Sequence, residues 1–444
     1  MNLFYTVMVS GIGLVVTSSI GYLLVLLGAA VFTRRAKRDS APAQQTAQKV
    51  SQSAELTLAV VIPAHNEELV LAATLDSLKL QDYPARLLEV VVVADNCTDL
   101  TAQIARDYGV TVLERFNPEQ RGKGYALDWA ISQLLARAGA PCAVVIVDAD
   151  TWVAPDFLKI MAGRLSEFQD ANGCCALQGR YGVLNQSEGW RSALMSGAFD
   201  LVNHVRPLGY DRLGLGIALK GNGMAFTREV LQRARWQGHS ITEDMDYGLD
   251  LIRLGIRVRY IPEARVLAQM PVTTEQAASQ RERWEGGRYR LLRERALPLL
   301  KEGLLRRSLP LCDAAIALIV PPLAELAVFL LLWGGLIAIG SLWHRLLGPA
   351  LFLAFFALSA LGFLTYVLGG LWAAGASREV FSALLKAPFY IVWKLALYAA
   401  NLLQRRKGVP GSQPEWIRTG RIAIVTPSAA EEKPNLASQE KSSL

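Results

Sequence analysis

Charge is absent from long stretches of this 444-residue chain: Met1 to Thr33 and Leu346 to Ser377 carry none, and Ala314 to Trp343 carries only Glu325. Each stretch exceeds the roughly 20 apolar residues that cross a bilayer, which excludes a wholly water-soluble protein. About 270 residues between Arg34 and Pro310 have the mixed composition of an ordinary soluble domain, which excludes an all-membrane transporter. Cysteine is scarce. The five present show no metal-ligand spacing, and Cys97, Cys142, Cys174 and Cys175 of the soluble part read as free thiols in a reducing compartment. A glycine-rich phosphate loop of the Walker type is missing, which counts against an ATPase. No basic residue precedes the first apolar run, which is too long for a signal peptide's core, so residues 1–33 are expected to stay as an anchor.

Charge returns directly after that run, in Arg34, Arg35, Lys37 and Arg38. Basic clusters beside a span stay on the cytoplasmic side, so the soluble domain is expected there, in a multi-pass protein of the cell membrane. Residues 34–55 are polar and small enough for a linker, and residues 56–300 form the soluble domain. A transmembrane hairpin is expected over 309–377, between Arg306-Arg307 and Arg378, with Trp343-His344-Arg345 at its outer turn. Over 380–407, Lys386, Lys394 and Arg405 fall within an arc of about 100° on a helix, which favours one lying in the interface over one crossing it. The tail, 408–444, is basic at first and polar at its end, where disorder is expected.

Inside the soluble domain, apolar strands alternate with helical patterns. Leu58 to Pro63, Glu89 to Ala94, 110–115 and Cys142 to Val147 read as strands, while Glu67 to Leu80, 98–107 and 123–137 read as helices. Continuous apolar strands between helices imply an α/β domain whose parallel sheet is covered on both faces. Ligands in such sheets bind at the carboxyl ends of the strands. The residues there are polar and mostly acidic: Pro63-Ala64-His65-Asn66-Glu67-Glu68, Asp95-Asn96-Cys97-Thr98-Asp99 and Asp148-Ala149-Asp150.

Several carboxylates converging on one crevice repel unless a cation compensates. Asp148 and Asp150 offer oxygen ligands suited to Mg²⁺ or Mn²⁺, and Lys123, between Gly122 and Gly124, offers a point charge for a phosphate. Each feature also has a plainer reading. An Asp pair after a strand can cap a helix, Asp95 and Asp99 can form a local turn, Lys123 can be solvated, and His65 can be a hydrogen-bonding loop residue. Glu243 and Asp244 can be stabilising acids at a helix start, and Trp284 can belong to the core.

In order along the chain, four motifs resemble those of the membrane-embedded family 2 glycosyltransferases, which include cellulose, hyaluronan and poly-N-acetylglucosamine synthases. They are Val61 to Glu68 with Asp95, Asp148-Ala149-Asp150, Thr242-Glu243-Asp244, and Gln280-Arg281-Glu282-Arg283-Trp284. The resemblance covers about residues 55–300 and implies a GT-A type nucleotide-sugar domain, a Rossmann-like mixed sheet, set between N-terminal and C-terminal transmembrane helices. It implies further that Asp95 contacts the nucleotide, with Ala64 and Glu67 near it. Asp148 would support the nucleotide, Asp150 would hold the metal, and Lys123 and Arg283 would offset the diphosphate charge. Asp244 would be the general base. Gln280 and Trp284 would meet the acceptor sugar, as would Gly221 and Asn222 of the segment Gly221 to Phe226. The tail segment Trp416 to Arg421 resembles a W-x-x-T-x-R motif, whereas the FxVT element of the cellulose synthases is not evident.

The resemblance therefore implies an inverting, divalent-cation-dependent, membrane-bound enzyme. Its donor would be a UDP-sugar and its acceptor a hydroxyl of a growing β-linked polysaccharide. The alternative is transfer of one sugar to a lipid or lipid-linked acceptor, and a remoter one is a transport or scaffold protein that senses nucleotide sugars. Partners would be the donor, a glycan or glycolipid acceptor, the bilayer and an accessory export subunit, with no nucleic acid.

Overall fold

The computed structural model describes residues 2–38, 56–237, 240, 242–270, 274–343 and 346–392; the side chains of 2, 33–38 and 274–282 lie outside the description, as do the tail and, of the linker expected over 34–55, residues 39–55, whereas 34–38 continue the first helix. Eight strands form one mixed sheet in the order β3-β2-β1-β4-β7-β6-β8-β5. They are β1 (Leu58–Ala64), β2 (Leu88–Asp95), β3 (Thr111–Arg115), β4 (Ala143–Ile146), β5 (Thr151–Val153), β6 (Ala176–Val183), β7 (Met224–Thr227) and β8 (Val258–Ala268). The first four lie parallel, as their unbroken apolar runs predict. Beyond these four strands the sheet is mixed, as the resemblance implies: β7 runs antiparallel to both β4 and β6.

That reversal positions the site. Because Ile146 pairs with Met224 in antiparallel register, the residues leaving β4 and those entering β7 meet at one edge. Asp148 and Gly221-Asn222-Gly223 are therefore neighbours, although more than 70 positions separate them. Parallel β6 and β8 extend the sheet, with a bulge between Gly179 and Arg180.

Alternate residues of β1 go to opposite faces, as the strand period of two requires. Leu58, Val60 and Ile62 pack with Leu71 and Leu75 of α2 (Leu71–Lys79), and with Phe157 and Met161. Ala59 and Val61 pack on the other face with Leu127, Ala130 and Leu134, and with Trp236. A nine-residue helix such as α2 is too short to hold by itself in water. Burial of its leucines, worth about 1.5–3 kcal/mol each, holds it.

The remaining helices in chain order are α3 (Thr101–Asp107), α4 (Lys123–Ala136), α5 (Phe157–Phe168), α6 (Trp190–Phe199), α7 (Arg206–Arg212), α8 (Arg228–Arg233), α9 (Glu243–Arg253), α10 (Thr274–Leu291), α11 (Leu297–Arg306), α12 (Leu309–Ile319), α13 (Leu323–Leu342), α14 (Pro349–Ala374) and α15 (Arg378–Leu384), all following α1 (Asn2–Arg38). Among the described residues three helices are long and apolar enough to cross a membrane, within Leu3–Phe32, Leu323–Leu342 and Pro349–Ala374. They pack together through Leu23, Leu330, Trp333 and Tyr366.

The run read from sequence as one span from Ala314 is broken at Pro321-Pro322 into α12 and α13. Pro322 has no N–H for the carbonyl of Leu318, and Arg288 of α10 donates to that oxygen at 2.9 Å and to the oxygen of Val320. Only the beginning of the segment expected over 380–407 is described. There α15 ends at Leu384 and packs Val380 against Gly197 of α6.

Candidate active site

The carboxyl end of the parallel strands gathers the acidic residues, and hydrogen bonds fix each turn. Asn222 is fully buried; its Oδ1 accepts from the Asp148 N–H at 3.2 Å and its Nδ2 donates to Thr151 Oγ1 at 2.7 Å. Thr74 holds the other side of the Asp148-Ala149-Asp150 turn, donating to the Ala149 oxygen at 2.7 Å and accepting from the Thr151 N–H at 3.0 Å. Asn222, expected beside the acceptor, is thereby corrected to a support for the Asp148 turn, because its whole amide is spent inside the protein.

Lys123 opens α4 and reaches across the sheet end. Its ammonium pairs with Asp148 Oδ1 and donates to the Gly221 oxygen at 2.5 Å. Gly221 has φ +77°, and a Cβ there would lie 3.2 Å from Asp244 Oδ2 and 3.5 Å from Lys123 Nζ. A side chain would meet strain and crowding together, so glycine is what lets Lys123 and Asp244 approach the same backbone. Burial alone would lower the pKa of Lys123, but the carboxylates of Asp148, Glu243 and Asp244 hold it above its ordinary value. The solvated reading of Lys123 is excluded by these contacts.

Glu243 and Asp244 begin α9 and are both held above the ordinary carboxylate range, first by burial. Glu243 is pushed up to about 8 by burial and by Asp244, with Lys123 opposing. Lys123 and Lys220 both pull Asp244 back down. In this coupled pair the proton is best placed on Glu243 and the charge on Asp244, which faces two cations. Folded Glu243 then holds a proton from its ordinary value of 4.5 up to about 8. Its contribution to stability is full below the lower value and is lost as pH rises through the upper one. Glu243→Gln is expected to flatten the fall of melting temperature over that window, and an unaltered slope would show that Glu243 is already ionised.

Asp95 is buried and pairs with Arg115 at 2.6 Å across the β2–β3 register. Arg115 also donates to the Gln120 oxygen at 2.8 Å. Asp99 forms the local turn, accepting from Thr101 and from the Glu68 N–H. His65 Nδ1 lies 2.7 Å from the Asp95 oxygen, as a loop hydrogen-bonding residue should. Ala64 ends β1 at this rim, and the Glu67 N–H donates to Thr101 Oγ1 at 2.7 Å.

The last motif lies on α10. Gly287 allows α10 to meet the start of α9, since a Cβ there would sit 2.3 Å from Thr242 Cγ2. Asp246 ties the two elements further, accepting from Arg290 at 2.8 Å and from Arg295 at 3.1 Å. Trp284 is 40% exposed, with its ring 6.0 Å from that of Phe199, so it is not a core residue. Arg283 is half-buried on the same helix, and the side chain of Gln280 lies outside the described residues.

Sequence reasoning missed Arg115, Lys220 and the buried Gln178, which accepts from the Lys220 N–H at 2.9 Å and donates to the Asn222 oxygen at 2.7 Å. Arg115 stands at a strand's carboxyl end, the same signal that singled out Asp95. Lys220 is a lone cation closing the run Gly216-Ile217-Ala218-Leu219, a signal as legible as its neighbour Gly221.

The donor set of Asp148 and Asp150 suits a hard divalent cation: two carboxylates at one turn, half-buried, beside a phosphate-compatible lysine. No group of three or more acidic, histidine or cysteine side chains joins there among the described residues.

Parts of this chain are similar to known proteins. Residues 55–287 match the family model described as "Glycosyltransferase like family 2". The probable glycosyltransferase YdaM of Bacillus subtilis is 25% identical over 242 residues, 53% of this chain and 56% of that protein. The N-acetylglucosaminyltransferase of Mesorhizobium japonicum is 27% identical over 246 residues, 52% of this chain and 55% of that protein. The beta-monoglucosyldiacylglycerol synthase of a Nostoc species is 28% identical over 257 residues, 55% and 52% of the two chains. The chain thus spans about half the length of the curated relatives it matches. Among solved structures, the mannosyltransferase PcManGT of Pyrobaculum calidifontis, in complex with GDP-Man and Mn²⁺, aligns at TM-score 0.46 and 21% identity over 84% of this chain and 98% of that one. With a family match over more than half its length and the mixed sheet and motif geometry described, this chain belongs to the glycosyltransferase family 2.

Proposed function

We propose that the protein transfers a sugar from a UDP-sugar to an acceptor hydroxyl brought to Asp244 from the membrane side, with inversion at the sugar carbon. One observation carries this reading: Asp244 faces two lysines, Lys123, which is paired with Asp148 in a phosphate-compatible group, and Lys220, whose neighbour Arg206 bonds Tyr366 of a spanning helix. The raised pKa of Asp244 makes it a better base than an exposed aspartate. It takes the acceptor's proton as that oxygen bonds to the sugar carbon and the bond to the diphosphate breaks. Lys123 and Arg283 offset the charge that gathers on the departing diphosphate. Asp150 and Asp148 would hold a divalent cation, Mg²⁺ or Mn²⁺, whose charge adds to that offset. Trp284 offers an exposed aromatic face for the acceptor or its sugar.

The soluble domain is assigned to the cytoplasmic side by Arg34, Arg35, Lys37 and Arg38. For the acceptor, elongation of a β-linked polysaccharide is supported by the resemblance of Gln280 to Trp284 to the synthases. Single transfer to a lipid is supported by the closeness of Lys220 to groups that contact the membrane helices and by the likeness to a beta-monoglucosyldiacylglycerol synthase. UDP release across a panel of UDP-sugars, with the product sized on the same sample, separates a polymer from a single glycolipid. No release with any donor would point to a missing acceptor or partner, or to a protein that only senses nucleotide sugars. Asp150→Ala is expected to weaken metal-dependent UDP-sugar binding tenfold or more, about 1.4 kcal/mol. Titrating donor affinity with and without Mn²⁺ checks it, and an unchanged metal dependence would place the cation elsewhere.

A further inference from the structure

We infer that Arg206 and Lys220, with Arg288 beside them, form an anion site for the phosphate of a lipid headgroup, and that the acceptor hydroxyl of that phospholipid is thereby presented to Asp244. The inference rests on the proposed transfer reaction and names its acceptor class. Three cations from distant parts of the chain converge here. Lys220 closes the segment before Gly221, Arg206 begins α7, and Arg288 lies on α10; Lys220 interacts with the other two and with Asp244. Burial and Arg206 pull Lys220 down to about 8, with Arg288 adding to the fall and Asp244 opposing it.

Internal partners leave this charge undercompensated. Arg206 donates from Nε to Tyr366 Oη at 3.1 Å, and its Nη2 is buried with no hydrogen-bond partner among the described residues. The groups facing Arg206 include the hydroxyls of Tyr366, Tyr210 and Tyr22. Asp313, on the same side, is held by the Tyr22 hydroxyl at 2.7 Å. Arg288 faces Glu325 and Glu285, but its Nη2 is committed to the carbonyls of Leu318 and Val320. A buried guanidinium N–H without a partner and a lysine beside two arginines are costly unless an anion arrives. Convergent N–H donors match a phosphate, whose oxygens can each accept.

The place of the cluster decides the source of that phosphate. Tyr22 and Tyr366 belong to α1 and α14, two of the three helices apolar enough to span a bilayer. Arg206 bonds Tyr366 of one of these helices, so a phosphate held by this cluster sits next to the part of the chain that meets lipid.

The test uses full-length protein, the UDP-sugar it consumes, and phosphatidylcholine vesicles doped with phosphatidylglycerol or with diacylglycerol. Both dopants carry an acceptor hydroxyl, and only phosphatidylglycerol carries a phosphate next to it. The expected result is preferred glycosylation of phosphatidylglycerol, competition by inorganic phosphate against it alone, and a KM for it raised about tenfold or more by Arg206→Gln. The same variant should move the KM for diacylglycerol by less than about threefold. Arg206→Lys, which keeps the charge but loses the convergent guanidinium N–H donors, gives a second variant with the same expected split at a smaller size if Arg206→Gln melts early. Equal use of the two lipids, or equal loss on both in each variant, overturns the inference and leaves the cluster structural. Stabilisation by inorganic phosphate without any lipid preference assigns the site to free phosphate and also overturns it. Donor consumption only with a soluble glycan overturns the lipid acceptor while the transfer reaction stands. No donor consumption with any acceptor removes the transfer reaction itself.

Discussion

Asp244→Asn is expected to lower sugar transfer on the order of a hundred- to ten-thousandfold, the range over which a positioned general base contributes. Asparagine keeps the shape and can still hydrogen-bond, but it cannot accept the acceptor's proton. Asp244 lies against Gly221 and Lys123, so its loss takes a negative charge away from the place where the donor diphosphate is proposed to sit. Donor affinity should therefore stay within a few fold. UDP release and equilibrium binding of the UDP-sugar, measured on one preparation, check both halves. A variant that still transfers strongly would take Asp244 out of the base role. In the unaltered enzyme the acid limb of kcat/KM should lie above the ordinary carboxylate range, because burial raises Asp244 and the two lysines only partly reverse it.

Arg115→Ala should cost about 3–5 kcal/mol of stability, the toll of leaving a buried carboxylate without its cation. Asp95 and Arg115 are both under a tenth exposed, and they join β2 to β3 at the end where ligands bind. The Arg115 contact to Gln120 would be lost as well, freeing the approach to Lys123. Replacing both partners, as Asp95→Leu with Arg115→Met, should destabilise far less than the single change, since no unpaired charge remains. Denaturant midpoints of the two variants make the comparison. A single variant within about 1 kcal/mol of the parent would mean that the pair is solvated.

Much of the fold could be read along the chain because its signals are local. Runs such as Glu89 to Ala94 and Cys142 to Val147 have no polar face to leave in water, so they predict buried parallel strands, and β2 and β4 lie there. Glu243 to Arg253 forms the helix expected after Asp244. The sheet end gathers Lys123, Asp148, Gly221 and Asp244, residues that stand in separate motifs along the chain. The antiparallel turn of β7 was not legible, because a four-residue buried strand carries the same apolar pattern in either direction. Nor was the inward turn of Asn222, which follows from the Ile146–Met224 register and from nothing in Gly-Asn-Gly itself.

By itself the amino-acid order determined where the chain is apolar enough to span a bilayer, which segments are buried strands, and which acids stand at the strand ends. These follow from hydropathy, period and spacing, all properties of neighbours in sequence. Tertiary structure alone decided which distant charges share a space: Arg115 with Asp95, Lys123 with Asp148, and Lys220 with Arg206 and Arg288. Whether a carboxylate is a base or a partner in an ion pair depends on burial and on which cation lies within a few ångströms. Those distances exist only once the strands have been ordered across the sheet.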